Sequence, residues 1–112
     1  MTANHYHRDN LCAIIDRNGV QQNGPVEEIK REEPLAEKWR SFGWHVSEAD
    51  GHDFTSLFSA LDDFGREPGK PTLIIAHTIK GKGVSFMEGQ AKWHGRAPDK
   101  EEYELALAEL EF

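Results

Sequence analysis

The distribution of hydrophobic and polar residues predicts three short strands. Apolar runs extend over Leu11–Asp16 and Thr72–Thr78, and a more mixed run covers Trp44–Ala49. Continuous apolar runs of this length are typical of strands that are buried on both faces of a parallel sheet. Turn signals at Arg17–Gly19 and Asp50–Asp53 follow the first two strands in the chain.

Helical periodicity predicts three helices in addition to the strands. The first covers Leu35–Phe42, with Pro34 in its first turn. The second has Asp53 as its N-cap and one apolar face. The residues of that face are Phe54, Leu57, Phe58, Leu61 and Phe64. Asp99 caps the third helix, whose apolar members are Tyr103, Leu105, Ala106, Leu107 and Leu110.

The order of these elements is strand, helix, strand, helix, strand, loop, helix. This alternation predicts an α/β fold in which a parallel sheet of about three strands has flanking helices. Three strands make a thin sheet, and a parallel sheet needs helices on both faces. We therefore expect residues 1–112 to form an incomplete domain that lacks elements or borrows them from a partner.

Composition narrows the class of protein. With 38% hydrophobic and 29% charged residues, the chain is typical of a folded globular protein. Its net charge of -7 argues against nucleic acid or an anionic membrane surface as the main partner. No apolar run approaches the roughly 20 residues that span a bilayer. The lone Cys12 and the absence of a signal-peptide pattern in Met1–Asn10 favour a cytoplasmic protein.

Two loops follow predicted strands, where doubly wound sheets bind their ligands. The loop Asp16–Val20 offers an asparagine amide and backbone carbonyls, which suit a hard cation such as magnesium or calcium. The loop Thr78–Gly83 offers backbone N–H groups and two lysines, which suit a phosphate. Together they indicate a metal–diphosphate or nucleotide ligand. Taken singly, each loop also fits an ordinary solvated turn.

Among the six histidines, His94 is the candidate site residue. It lies in an irregular segment that no predicted helix or strand explains, and functional histidines favour such loops. We expect structural roles for His45 and His52. Cys12 fits a small buried apolar residue better than a nucleophile.

Taken in order, these segments resemble transketolase. The resemblance is carried by Asp16–Pro25, Phe42–Val46, Asp50–Asp53, Lys80–Gly83, Trp93–Pro98 and Tyr103–Leu110. The first of them resembles the second half of the family's thiamine diphosphate motif. The last resembles the final helix of the N-terminal subunit in transketolases that are split into two chains. The likeness therefore runs through nearly the whole chain.

The resemblance implies a partial thiamine diphosphate-binding fold and a site for thiamine diphosphate with Mg²⁺. The side-chain amide of Asn18 and the backbone carbonyl of Val20 match the family's metal ligands. Lys80 matches a position near the cofactor, and His94 matches a histidine that contacts both cofactor and substrate. The implied reaction moves a two-carbon ketol unit between sugar phosphates.

The resemblance also implies that the chain is not a complete catalyst. The family motif begins with Gly-Asp-Gly well before the asparagine, and Asn18 lies too close to Met1 for that segment. The only Asp-Gly pair, Asp50-Gly51, comes after Asn18. We therefore expect two partners, an upstream half-domain and a subunit with the pyrimidine-binding domain, and no activity from the chain alone.

Two other interpretations fit the sequence. In the first, the chain is a non-catalytic remnant or interaction module. In the second, it is a fragment of another thiamine diphosphate enzyme such as deoxyxylulose phosphate synthase. The segment Trp93–Gly95 and the ending close behind it favour transketolase over the second of these.

Overall fold

The computed structural model describes residues 1–110, and the predicted strands and helices are all present in the predicted order. In chain order the elements are α1 (Thr2–His5), β1 (Cys12–Arg17), β2 (Val20–Gln21), β3 (Gly24–Pro25), α2 (Val26–Ile29), α3 (Leu35–Ser41), β4 (His45–Asp50), α4 (Phe54–Asp62), β5 (Thr72–His77), a 3-10 turn (Ala91–Trp93) and α5 (Lys100–Leu110). The hairpin of β2 and β3, the helices α1 and α2, and the 3-10 turn were not predicted. Each is too short to show a hydrophobic period.

Strands β1, β5 and β4 form a parallel sheet in that spatial order, with β5 in the middle. Ala60 of α4 packs in a cluster with Ile74 of β5. Leu35 of α3 borders a cavity that is also lined by Ile75 of β5. Because successive residues of a strand point to opposite faces, α3 and α4 cover opposite faces of the sheet. This arrangement confirms the α/β class with flanking helices.

Burial differs sharply among the three strands. The side chains of Leu73, Ile74 and Ile75 in β5 are buried on both faces. In β1, however, Ile14 is 60% exposed. The expectation that each strand is buried on both faces is therefore wrong for β1. The reason is the placement of α4, which packs over Ile74 of β5 and Ala49 of β4 and does not extend over Ile14.

Helix α4 begins as the sequence predicts but buries less of its apolar face. The carboxylate of Asp53 accepts the backbone N–H groups of Thr55 and Ser56 at 3.0 and 3.2 Å, which confirms the N-cap. Only the flank that carries Leu57 and Ala60 packs on the sheet. The other predicted apolar residues, Phe54, Phe58, Leu61 and Phe64, remain between 41% and 78% exposed.

The described chain forms two compact units. One contains Met1–Arg17 and Glu32–Thr78, and therefore the parallel sheet with α3 and α4. The other contains Asn18–Arg31 and the chain from Ile79 onward, and therefore the β2–β3 hairpin, α2 and α5. No helix within residues 1–110 is long and apolar enough to cross a membrane.

Candidate functional site

The two candidate loops leave the sheet at the same end. Arg17, the last residue of β1, lies opposite His77, the last residue of β5. The backbone N–H of Thr78 donates to the carbonyl of Arg17 at 3.3 Å, and the Thr78 hydroxyl donates to the Asp16 carboxylate. The chain then continues into the two loops. The expectation that both loops follow the carboxyl ends of strands is thus confirmed, and the structure adds that the two strands are neighbours.

All four predicted site residues belong to the second compact unit. Asn18 and Val20 come from its first segment, and Lys80 and His94 come from its second. The fold therefore brings residues that are far apart in sequence into one unit.

Asn18 is held in a tight turn at the start of this unit. Its side-chain oxygen accepts the backbone N–H of Val20 at 3.0 Å, and the carbonyl of Gly19 accepts the N–H of Val26 at 3.0 Å. Val20 lies opposite Pro25 in the hairpin, and the bond from Val26 to Gly19 makes this a non-hydrogen-bonded pair, in which the Val20 carbonyl points away from β3. An amide oxygen has two lone pairs, so one hydrogen bond does not exhaust its capacity as a ligand.

The loop after β5 is a succession of turns that depends on Gly81. Its φ of 73° lies in the left-handed region, and a Cβ at this position would lie 2.8 Å from both the Cβ and the carbonyl oxygen of Met87. The N–H of Gly89 donates to the carbonyl of Lys80 at 2.8 Å and closes the loop. The loop conformation therefore holds the backbone of Lys80 in place.

The anion-binding groups expected in this loop already have an internal acceptor. The N–H of Gly83 donates to a carboxylate oxygen of Glu88 at 3.0 Å, and the ammonium group of Lys82 lies 3.6 Å from the same oxygen. The N–H of Lys82 donates to the carbonyl of Ile79 at 3.1 Å. The expectation of available N–H groups is therefore wrong for these positions. An incoming phosphate would compete with Glu88 there, which makes Lys80 the better candidate for contact.

His94 is exposed at the end of the 3-10 turn, where its N–H donates to the carbonyl of Ala91 at 2.9 Å. The preceding Trp93 anchors the segment. Its indole N–H donates to the carbonyl of Phe86 at 3.2 Å, and its ring is 5.6 Å from the Phe86 ring. The guanidinium of Arg96 lies 4.4 Å from the Trp93 ring centroid, a cation–π contact. The anchored backbone presents the His94 ring to solvent.

A capping box joins this segment to α5. The carboxylate of Asp99 accepts the N–H of Glu102 at 2.9 Å, and the carboxylate of Glu102 accepts the N–H of Asp99 at 2.9 Å. The predicted cap at Asp99 is thus confirmed. Arg96 donates to both oxygens of Glu102 at 2.7 Å. The hydrogen bond from Asp99 and then the Arg96 guanidinium lower the pKa of Glu102.

A polar groove of about 430 Å³ lies in the first unit, outside the predicted site. The hydroxyl of Ser47 donates to the Asp63 carboxylate at 3.0 Å, and the His45 ring lies 3.2 Å from Glu67. The Lys70 ammonium, more than His45, lowers the pKa of Glu67. These groups satisfy one another, which agrees with a structural role for His45. Nowhere in residues 1–110 do three His, Cys, Asp or Glu side chains come together as metal ligands.

Comparison with known proteins identifies the relatives of this chain. A family model described as the thiamine diphosphate binding domain of transketolase matches residues 1–112. The chain is 44% identical over 110 residues to an apulose-4-phosphate transketolase subunit of Phocaeicola vulgatus, a match that covers 98% of this chain and 39% of that protein. It is 46% identical over 103 residues to a 6-deoxy-6-sulfo-D-fructose transketolase subunit of a Clostridium species, covering 92% and 38%.

The chain thus spans about two fifths of the length of these curated relatives. Among solved structures, the transketolase of Campylobacter jejuni is similar with a TM-score of 0.83 and 30% sequence identity. That match covers 96% of this chain and 17% of the Campylobacter chain.

Proposed function

This chain belongs to the transketolase family, and we propose that it works as part of an enzyme that transfers a two-carbon ketol unit between sugar phosphates. In this proposal the enzyme uses thiamine diphosphate and Mg²⁺. One observation carries the proposal: Asn18, Val20, Lys80 and His94 belong to a single compact unit, and the two segments of that unit directly follow the neighbouring strands β1 and β5 in the chain.

We assign metal binding to Asn18 and Val20. The turn that fixes the Asn18 amide leaves its oxygen a further lone pair, and the Val20 carbonyl points away from β3 in a non-hydrogen-bonded pair. Neutral oxygens of this kind suit Mg²⁺, which proteins usually hold through few side chains together with phosphate oxygens. The two residues supply some of the protein ligands of the metal, and a carboxylate from elsewhere in the enzyme would supply the remaining protein ligand.

We assign cofactor contact to Lys80 and contact with both cofactor and substrate to His94. The Lys80 ammonium balances diphosphate charge, while its backbone is held by the bond from Gly89. The exposed ring of His94 is able to hydrogen-bond a substrate hydroxyl or to move a proton at that oxygen. When it is bound, thiamine diphosphate supplies the carbanion chemistry.

The proposed partners are the rest of the transketolase, namely an upstream half-domain and a subunit with the pyrimidine-binding domain. Two observations support them. The chain covers 39% of the length of a relative whose own name describes it as one subunit of a transketolase. In addition, β1 leaves Ile14 exposed at an edge of the sheet. We infer that the chain has no activity alone and works in the cytoplasm, where its lone Cys12 suits a reducing environment.

A chimera tests the proposal. Residues 1–112 would replace the matched region of the Phocaeicola vulgatus relative, and the product would be assayed with its partner subunit, thiamine diphosphate, Mg²⁺, a pentulose phosphate and an aldose phosphate. We expect ketol transfer by the chimera and none by the isolated chain. A folded chimera without activity contradicts the proposal, and transfer by the isolated chain contradicts the inferred dependence on partners.

The variant Asn18→Ala tests the metal assignment within the same chimera. We expect the Mg²⁺ concentration needed for half-maximal activity to rise at least about tenfold, because even outer-shell partners of metal ligands cost 10–100-fold in affinity. Asn23→Ala in the same hairpin region is the control and should leave the metal requirement unchanged. Equal metal requirements in the two variants would remove Asn18 from the site.

A further inference from the structure

A stripe of large apolar side chains on α4 remains exposed. Phe54, Phe58 and Leu61 are 78%, 64% and 45% exposed, and Ile14 on β1 is 60% exposed. We call these four residues the α4–β1 apolar surface. An exposed apolar patch of this kind usually marks an interaction site in a soluble protein.

The three α4 residues form one stripe because spacings of four and seven return to the same side of a helix. The opposite flank of α4, with Ser56, Ser59 and Asp63, lines the polar groove beside β4. The stripe therefore lies on the flank of α4 that points away from β4. Because the sheet order is β1-β5-β4, that flank is on the β1 side.

Ile14 lies on the sheet face that α4 covers. Cys12 packs against the cluster of Ala60 and Ile74 beneath α4, and alternate residues of a strand share a face. Residue 14 therefore points to the same side as Cys12. Helix α4 does not bury Ile14 as it buries Ile74, because the Ile14 side chain remains 60% exposed.

We propose that the α4–β1 apolar surface docks a helix from the part of the transketolase subunit that lies outside this chain. The inference rests on the proposed function. The matched relative has more than half of its length outside the region of similarity. A doubly wound sheet carries several helices on each face, whereas within the unit of Met1–Arg17 and Glu32–Thr78 α4 is the helix that packs in the cluster on this face. One helix beside α4 and above β1 would cover all four residues.

Charge argues for such a helix and against a second copy of this chain. Asp62 is exposed one turn after Phe58 and borders the stripe, and the chain carries a net charge of -7. Two copies meeting here would bring like charges together. The expected partner helix has apolar residues at intervals of three and four, with Lys or Arg on its flanks.

Association with a complementary fragment tests the proposal. This chain would be co-expressed with the part of the Phocaeicola vulgatus relative outside the matched region, and the complex would be quantified by co-purification and sedimentation. We expect the wild-type pair to associate. The double variant Phe54→Ser, Phe58→Ser should weaken association at least tenfold. Leu105→Ser is the matched control, because Leu105 on α5 is 59% exposed and lies outside the surface.

The outcomes separate this inference from the proposed function. If the wild-type pair associates and the double variant associates equally well, with circular dichroism showing both folded, the docking surface is wrong while the partner proposal stands. If the wild-type chain instead forms a dimer that the double variant abolishes, a second copy is the occupant and the inference is overturned. Failure of the wild-type pair to associate contradicts both. Loss of association in the double variant alone supports the inference.

Discussion

Glu102 is the residue that couples the histidine segment to the last helix. Its carboxylate accepts the N–H of Asp99 and contacts the Arg96 guanidinium, and these partners lower its pKa. Because the pKa is lower in the folded chain than in the unfolded one, its stabilisation is present above the ordinary glutamate range. That stabilisation is lost as pH falls through the folded value.

We therefore predict that the Glu102 carboxyl titrates below the ordinary glutamate pKa of about 4.3, as followed by the NMR chemical shift of its carboxyl carbon. The backbone amide of Asp99 should report the same transition, because it donates to this carboxylate. In Glu102→Gln, which keeps a hydrogen-bond acceptor without the charge, the transition at Asp99 should disappear. A midpoint at or above the ordinary value contradicts the prediction.

At this scale the sequence predicts residues whose role follows from local chemistry. The sequence predicts the caps Asp53 and Asp99 because a carboxylate at a helix start lies next to the backbone N–H groups that it accepts. It does not predict the role of Glu88, because its bonds to Gly83 and Lys82 exist only once the loop has folded. The motif Trp93–Pro98 likewise does not reveal that Trp93 contacts Phe86 and Arg96, because those contacts depend on the 3-10 turn.

Among the elements, the loop from Ile79 to Gly89 depends most on backbone freedom. Gly81 and Gly89 both have positive φ, at 73° and 68°. A Cβ at Gly89 would meet no atom within 4 Å, whereas one at Gly81 would meet Met87 at 2.8 Å. Alanine substitution at Gly89 therefore measures the free-energy cost of the left-handed backbone alone, and alanine substitution at Gly81 measures that cost together with the cost of a steric clash.

We predict that Gly89→Ala destabilises the chain by about 1–2 kcal/mol through its backbone alone. Gly81→Ala should cost more, because the Met87 backbone must also move. Urea unfolding of both variants and the wild-type chain gives the comparison. Equal losses of the free energy of unfolding would mean that the loop relaxes around Gly81, and the loop would then not be a rigid support for Lys80.

The sequence predicts the position and type of helices and strands that have a clear hydrophobic period, but it does not predict how deeply their apolar residues are buried. The run at Leu11–Asp16 and the face of α4 have the patterns of buried elements, yet Ile14 and Phe58 are 60% and 64% exposed. Hydrophobic periodicity predicts which face of a helix or strand is buried in the complete fold. Periodicity does not predict whether the helix or strand that buries this face belongs to the same chain. The β2–β3 hairpin was missed because two strands of two residues have no period.

For the molecule as a whole, the two edges of the sheet are chemically different. The edge strand β4 exposes Glu48 and Asp50, while the opposite edge strand β1 exposes Ile14 in its middle and Asp16 near its end. Charged residues at an edge oppose further strand pairing, and an apolar edge strand invites it. The chain therefore has one edge suited to solvent and one suited to continuation of the sheet.

This asymmetry predicts at which edge the sheet would be extended by the proposed upstream half-domain. In the isolated chain, hydrogen exchange should be slowest in β5, which is paired on both sides, and faster in β1 and β4. On association with the complementary part of a relative's chain, the amides of β1 should slow at least tenfold, because a new strand would bond the outer edge of β1. Those of β4 should change little and serve as the internal control. Protection of β4 without β1 would place the junction at the charged edge, and the assignment of β1 as the continuing edge would have to be abandoned.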